Sequence, residues 1–315
     1  MPENHPLFHW SLADGEDRAG AGRPVRVARA AEQAGFTSLC TPAAPGRADP
    51  WHLASVLAGR TERIGFLVGV RAGAVSPTLL AQQADAFRRF TGGRLRLHII
   101  TATGGEAAEP PPGGDRPTHD QRYGRTDEVM AVLRRLLDGG RVDFQGRHVQ
   151  VEGARLTGPA VEHPVPLYLG GVSGTAENLA ARRADVHLMG SGPAEPPEAV
   201  AARVARLRGR NPALRCALRV PVVGQDHDAA ARHLHAYCRS GVDEFVLSGG
   251  PDPDDALRVA GEVLPRLGEL LAAEGVRGHA TAPPPRGTGE GGAASASDAV
   301  TPASRRSGRD RRGCR

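Results

Sequence analysis

Short apolar segments alternate with longer amphipathic segments eight times along the first 274 residues of this 315-residue chain. Residues 64–70 are almost wholly apolar, as expected for a strand that is buried on both faces. Residues 23–35 instead place Val27, Ala31 and Ala34 on one helical face. Strands that alternate with helices predict a parallel sheet. Eight repeats in a chain of this length favour a closed (β/α)8 barrel, the TIM barrel, over an open doubly wound sheet.

Helix starts and one interruption refine this prediction. Asp49 with Pro50, and Ser76 with Pro77, each combine an N-cap residue with a proline at the first helical position. After the fourth repeat and its helix, predicted over residues 123–137, residues 142–144 and 148–151 indicate a small β-hairpin inserted in the barrel.

The composition changes at the end of the chain. Residues 277–315 are rich in Pro, Gly, Ser and Arg and lack the apolar residues that would offset the entropy of ordering. They contain eight arginines and three acidic residues, so the net charge of +5 lies there and residues 1–276 are formally neutral. A neutral body with a basic tail argues against a nucleic-acid-binding fold. We therefore expect one barrel domain at 1–276 and a disordered basic tail at 277–315.

The cysteines favour neither a disulfide framework nor a metal site. They are scattered, without a CxxC pair, at Cys40, Cys216, Cys238 and Cys314. This pattern is typical of reduced thiols in a cytoplasmic protein. The N-terminus shows no signal-peptide pattern. No apolar run reaches the roughly 18 residues that a membrane span requires. The sequence therefore predicts a cytoplasmic protein without a membrane or metal partner.

Several segments in order resemble one family. Residues 60–102 (RTERIGFLVGVRAGAVSPTLLAQQADAFRRFTGGRLRLHIITA), 119–137 (HDQRYGRTDEVMAVLRRLL) and 166–190 (PLYLGGVSGTAENLAARRADVHLMG) carry the resemblance, supported by 142–156 and 241–267. They are similar to the corresponding parts of alkanesulfonate monooxygenases, a branch of the luciferase-like flavin-dependent monooxygenases. The resemblance covers most of residues 8–270 and implies the same barrel.

The resemblance also implies an activity and partners. In this family a separate NAD(P)H-dependent flavin reductase supplies reduced FMN (FMNH2), and the monooxygenase uses it with O2 to oxidise a small substrate. In the alkanesulfonate branch the products are an aldehyde and sulfite. Two alternatives stay open: an F420-dependent oxidoreductase on the same barrel, and a catalytically degenerate homologue that binds flavin weakly. The family commonly forms dimers or tetramers, which leaves a homo-oligomer open.

Cofactor-binding candidates begin with the run Gly170-Gly171-Val172-Ser173, which follows an apolar strand and opens a helix. A helix N-terminus offers free N–H groups and a positive dipole end to a phosphate. The resemblance places the FMN phosphate here, with Ser173 as a hydroxyl donor; the alternative is an ordinary capped turn. It also implies that Tyr123 reaches the phosphate and that Thr101 touches the isoalloxazine edge, although either side chain could be structural.

Arg219, in the seventh barrel strand, is the catalytic candidate. The resemblance implies that it binds the substrate sulfonate and the oxidising centre, for which a permanently charged guanidinium is suited. The alternative is that it faces the helices and solvent. On the first strand, Phe8 and Trp10 either wall the pocket or belong to the core.

Four features depart from the family pattern. Pro221 stands in place of a histidine, Arg47 in place of a cysteine and Gly250 in place of a tyrosine. The long segment that closes over flavin and substrate between strand seven and its helix is missing. These departures keep the degenerate homologue among the alternatives.

Overall fold

The computed structural model describes residues 6–12, 20–44, 46–101, 117–158, 164–190, 195–222, 226–250 and 252–273. Eight parallel strands close into a barrel in the spatial order β1-β10-β9-β8-β7-β4-β3-β2. The barrel strands are β1 (Leu7–Ser11), β2 (Ser38–Thr41), β3 (Gly65–Arg71), β4 (Leu95–Ile100), β7 (Leu167–Gly170), β8 (Val186–Met189), β9 (Arg215–Pro221) and β10 (Glu244–Ser248). The predicted TIM barrel is confirmed.

The predicted hairpin is also present, as a separate two-stranded antiparallel sheet. Its strands are β5 (Val142–Gln145) and β6 (Gln150–Ala154). The second arm begins two residues later than predicted. The Glu128 carboxylate accepts hydrogen bonds from the backbone N–H groups of residues 147, 148 and 149, at 2.9, 2.7 and 2.7 Å. This carboxylate therefore fastens the hairpin turn to the helix that follows β4.

The helices surround the barrel, and α2 and α3 start with the N-cap residues that the sequence predicted. They are α1 (Gly22–Gln33), α2 (Pro50–Ala58), α3 (Pro77–Phe90), α4 (His119–Leu137), α5 (Gly174–Arg183), α6 (Pro197–Arg210), α7 (His227–Arg239), α8 (Asp255–Arg258) and α9 (Leu264–Ala273), the last two joined by a π-helical turn (Val259–Val263). Asp49 accepts from the His52 N–H at 3.0 Å, and Ser76 from the Leu79 N–H at 3.2 Å. Both predicted N-caps are confirmed.

The apolar core has two parts. The larger part lies between the strands and the helices. The smaller part fills the inside of the barrel with Cys40, Leu67, Tyr168, Val186, Leu188, Ala217 and Val246. Successive strand residues point to opposite sides, so β2, β3, β7, β8, β9 and β10 each contribute to both parts.

Two further predictions concern membrane spans and the C-terminal tail. Among the described residues, every helix is too short or too polar to cross a bilayer. The predicted disordered tail, together with most of the Gly- and Pro-rich loop after β4, lies outside the described residues.

Candidate cofactor and substrate site

The carboxyl ends of the eight parallel strands meet at one face of the barrel, which we call the mouth. Functional groups of (β/α)8 proteins gather at this face, because loops from all eight strands converge there. The sequence-predicted residues Thr101, Gly170, Gly171, Ser173 and Arg219 all lie on or directly after carboxyl-terminal parts of barrel strands. The fold therefore brings candidates from three different strands to one face.

The glycine run after β7 forms a tight turn into α5. Gly170 ends β7, Gly171 has a φ of 139°, and Ser173 caps α5 by accepting the Ala176 N–H at 3.1 Å. A Cβ on Gly171 would lie 2.6 Å from the Ala176 Cβ and 3.3 Å from the Tyr123 hydroxyl oxygen. Only glycine fits there, so the backbone is free to approach a ligand at the helix N-terminus.

Tyr123 joins this turn from α4. Its hydroxyl lies 3.4 Å from Ser173 Oγ, and its ring packs on that of His119 with centroids 4.6 Å apart. Helix α4 begins at His119, four residues before the predicted start, because Thr118 and Gln121 form a capping box. The two hydroxyls that the resemblance assigned to a phosphate are thus neighbours in space, although fifty residues separate them in the chain.

Thr101 directly follows β4 and is 9% exposed. Its Oγ1 is buried and finds no hydrogen-bond partner among the described residues. A buried hydroxyl without a partner is costly, because it has lost its water without replacing it. This hydroxyl is therefore available to a bound molecule.

Arg219 faces the inside of the barrel rather than the helices. Its guanidinium lies 3.5 Å from Ser11 Oγ on β1 and next to the Cys40 thiol on β2. Burial raises the pKa of Cys40, and the nearby Arg219 charge offsets part of this rise. Arg219 forms no ion pair with a carboxylate of the described residues, whereas many arginines on the outer helices do. The mouth therefore holds a partly buried cation without a counter-charge from that part of the chain.

The sequence analysis missed His98 on β4. Along β4 every second residue is less buried, which places His98 on the inner face with Arg96 and Ile100. Its Nε2 lies 2.9 Å from the position that a Cβ on Gly170 would occupy, and its Nδ1 is buried without a hydrogen-bond partner among the described residues. The alternation within β4 was the signal that could have found it.

Deeper in the barrel, several polar groups gather around the Glu244 carboxylate. His9 lies 2.6 Å from Ser38 Oγ and 2.9 Å from a Glu244 oxygen, which also accepts the Tyr168 hydroxyl at 2.6 Å. Arg215 lies 3.0 Å from the other Glu244 oxygen. Burial lowers the pKa of His9, while the carboxylate of Glu244 opposes the effect. In this network Glu244 pairs with His9 and Arg215, whereas Arg219 at the mouth pairs with no carboxylate of the described residues.

The first-strand aromatic residues belong to the core. Trp10 is 3% exposed and packs on Phe36 with ring centroids 5.2 Å apart. Phe8 stacks on Phe245 at 5.7 Å. Among the described residues, no group of three or more His, Cys, Asp or Glu side chains could hold a metal ion.

A closed (β/α)8 barrel with functional groups at the carboxyl ends of its strands is the arrangement typical of (β/α)8 enzymes. Here this face carries a glycine turn, two neighbouring hydroxyl groups and the inward-facing guanidinium of Arg219. The sequence pattern of the luciferase-like monooxygenase family matches residues 7–299. The chain belongs to this family. The family predicted from the sequence is confirmed.

Solved structures share the fold at low identity. EDTA monooxygenase from Chelativorans sp. BNC1 superposes with a TM-score of 0.71 and 16% identity, over 87% of this chain and 95% of that one. A coenzyme F420-dependent tetrahydromethanopterin reductase from Methanopyrus kandleri gives 0.69 and 14%, over 84% and 99%. A long-chain alkane monooxygenase gives 0.70 and 15%, over 86% and 92%. These similarities concern the fold and do not choose between the two cofactors.

Proposed function

We propose that this protein is a two-component monooxygenase that holds reduced FMN at the barrel mouth and uses O2 to oxidise a small anionic organic compound, an alkanesulfonate being the first candidate. A separate NAD(P)H-dependent flavin reductase would supply the reduced flavin. The observation that carries the proposal is the convergence, at one mouth, of the Gly170–Ser173 turn, the Tyr123 hydroxyl and the Arg219 guanidinium.

The residues present suit a flavin. The α5 N-terminus and the hydroxyls of Ser173 and Tyr123 would hold the phosphate, since helix N-termini and hydroxyl donors bind anions. The unpartnered Thr101 hydroxyl would bond to the ring edge. When bound, reduced flavin supplies the two electrons that activate O2. The protein supplies binding, orientation and exclusion of water.

Arg219 would hold the anionic group of the substrate. A guanidinium stays charged at every working pH and presents parallel donors to an oxyanion. Because Arg219 has no carboxylate partner among the described residues, an anionic ligand would supply the charge that it lacks. This reasoning favours sulfonates and carboxylates over neutral hydrocarbons as substrates.

A second candidate is an F420-dependent oxidoreductase, which transfers a hydride and needs no O2. One observation favours it: β9 ends at Pro221 and α7 begins at His227, so only five residues connect them. The closing segment that the resemblance leads us to expect between strand seven and its helix is therefore missing. A hydride transfer depends less on such a cover than an oxygen reaction, which a lid shields from water.

Anaerobic titration distinguishes the two candidates. We expect reduced FMN to bind at least tenfold more tightly than reduced F420, measured by ultrafiltration under argon. The Ser173→Ala variant should weaken FMN binding about fivefold, the usual worth of one hydrogen bond. Tighter binding of F420, or an FMN affinity that ignores the Ser173→Ala change, would reverse the choice of cofactor or move the phosphate elsewhere.

The Arg219→Ala variant tests the substrate part of the proposal. We expect it to bind reduced FMN within twofold of the parent but to consume sulfonate more than tenfold more slowly, since it removes charge stabilisation. Sulfite release in a coupled assay with a flavin reductase measures the rate. Arg147→Ala, an exposed change on the hairpin turn, is the matched control. Equal rates in the Arg219→Ala variant and the control would remove Arg219 from the mechanism.

A further inference from the structure

His98 is a polar group at the mouth to which the proposed function gives no task. It is one of the inward-facing residues of β4, and its ring lies directly against the backbone of Gly170, where the glycine turn begins. Its Nδ1 is buried without a hydrogen-bond partner among the described residues, and its Nε2 faces Gly170. An imidazole in this position has bonding capacity that the rest of the barrel leaves unused.

The ring is uncharged under ordinary conditions. Burial lowers the pKa of His98 to about 3, and the nearby charges of Arg219 and His187 act in the same direction. A neutral imidazole carries one N–H and one lone pair. A buried N–H without a partner is rarer in proteins than an under-used acceptor. Because Nδ1 is the buried nitrogen, the proton is better placed on Nε2, beside Gly170.

We propose that His98 is a cofactor-binding residue that donates its Nε2–H to a carbonyl oxygen of the bound flavin. This inference rests on the proposed function. A neutral donor suits a neutral carbonyl acceptor, whereas the permanent charge of Arg219 suits an anion. At the mouth, His98 would thus bind the cofactor and Arg219 would bind the substrate.

Gly170 supports this assignment independently of Gly171. Its φ is not in the left-handed region, so the backbone alone does not demand glycine at this position. A Cβ there would approach His98 Nε2 to 2.9 Å, which is closer than such contacts normally come. Glycine at 170 therefore leaves room for the His98 ring. We expect Gly170→Ala to displace the ring and to weaken flavin binding as much as a loss of the His98 donor does.

The decisive experiment combines NMR with binding. In histidine-labelled protein, the ring carbon shifts of His98, assigned through His98→Gln, should report the Nε2–H tautomer and stay constant from pH 5.5 to 8.5. Anaerobic addition of reduced FMN should move the His98 signals and leave those of His52, whose side chain is 91% exposed, unchanged. Addition of ethanesulfonate alone should not move them.

Binding constants complete the test. We expect His98→Leu to weaken reduced FMN about fivefold, and His98→Gln, which keeps an N–H donor, to stay within twofold of the parent. Gly170→Ala should add no further loss in the His98→Leu background. A charged or Nδ1–H ring, a response to ethanesulfonate instead of FMN, or equal losses in the Leu and Gln variants would overturn the inference. If FMN binds with an affinity that depends on Ser173 while the His98 signals do not change, only this inference fails. If FMN does not bind, the proposed function fails as well.

Discussion

Acidification should unfold this barrel partly through His187, and the structure gives the size of the effect. His187 lies on β8, is 0% exposed, and both of its ring nitrogens are buried. Burial lowers the pKa of His187 from 6.5 to about 4, with Glu177 opposing the shift. The folded protein therefore keeps this ring neutral at pH values where the unfolded chain already binds a proton.

The sign and magnitude follow from linkage. A histidine whose pKa is lower in the folded state contributes stability above pH 6.5 that is lost as the pH falls toward 4. Between pH 7 and pH 4.5 the loss from this single group amounts to about 2 kcal/mol. That is a large part of the 5 to 15 kcal/mol by which domains are typically stable.

The perturbation is His187→Gln, which keeps a neutral polar side chain but removes the titration. Urea unfolding at pH 7.0, 6.0, 5.0 and 4.5 gives the free energy of unfolding for the parent, for His187→Gln and for the exposed-site control His52→Gln. We expect the parent and the control to lose about 2 kcal/mol more than His187→Gln over this range. Parallel pH dependence in all three proteins would refute the reasoning.

Two further predictions concern the turn and the hairpin. Gly171→Ala should lower the free energy of unfolding by about 1 to 3 kcal/mol, because its φ of 139° and the 2.6 Å approach to Ala176 Cβ exclude a side chain. Urea unfolding measures this loss, with Gly174→Ala as the control, because a Cβ on Gly174 meets nothing within 4 Å. Equal stability of the two variants would contradict the geometry. Glu128→Gln should raise the amide exchange rates of residues 147–149 at least tenfold in hydrogen-exchange NMR, because an amide oxygen accepts their N–H groups more weakly than a carboxylate; unchanged exchange would show that the carboxylate does not hold the hairpin.

The sequence was sufficient for the order of the elements and for several of their starts. Apolar runs indicated the buried strands, and the N-cap residues Asp49 and Ser76 indicated the starts of two helices. The start of α4 was missed because its first turn, stabilised by Thr118 and Gln121, lacks apolar periodicity. The π-helical turn Val259–Val263 carries no local sequence signal that separates it from the α-helical turns on either side.

The site was predictable only where one residue or one short run carried the information. The Gly170–Ser173 turn could be found because glycines and a capping serine act locally. The alternation along β4 could have indicated that His98 faces inward, but its proximity to Gly170 and Arg219 could not be predicted, because they come from strands far along the chain. The inward direction of Arg219 was likewise undecidable, since strand alternation fixes which residues share a side but not which side faces the barrel axis.

The way in which the barrel closes has a consequence for how the protein matures. Ser11 on β1 touches Arg219 on β9, yet β1 and β9 are not neighbours: β10 lies between them and pairs with both. A ribosome must therefore have released the chain past Ser248 before this contact can exist. Until then a growing chain has the Gly170–Ser173 turn in place while the barrel is still open between β9 and β1. A cut that removes β10 would therefore separate Arg219 from Ser11.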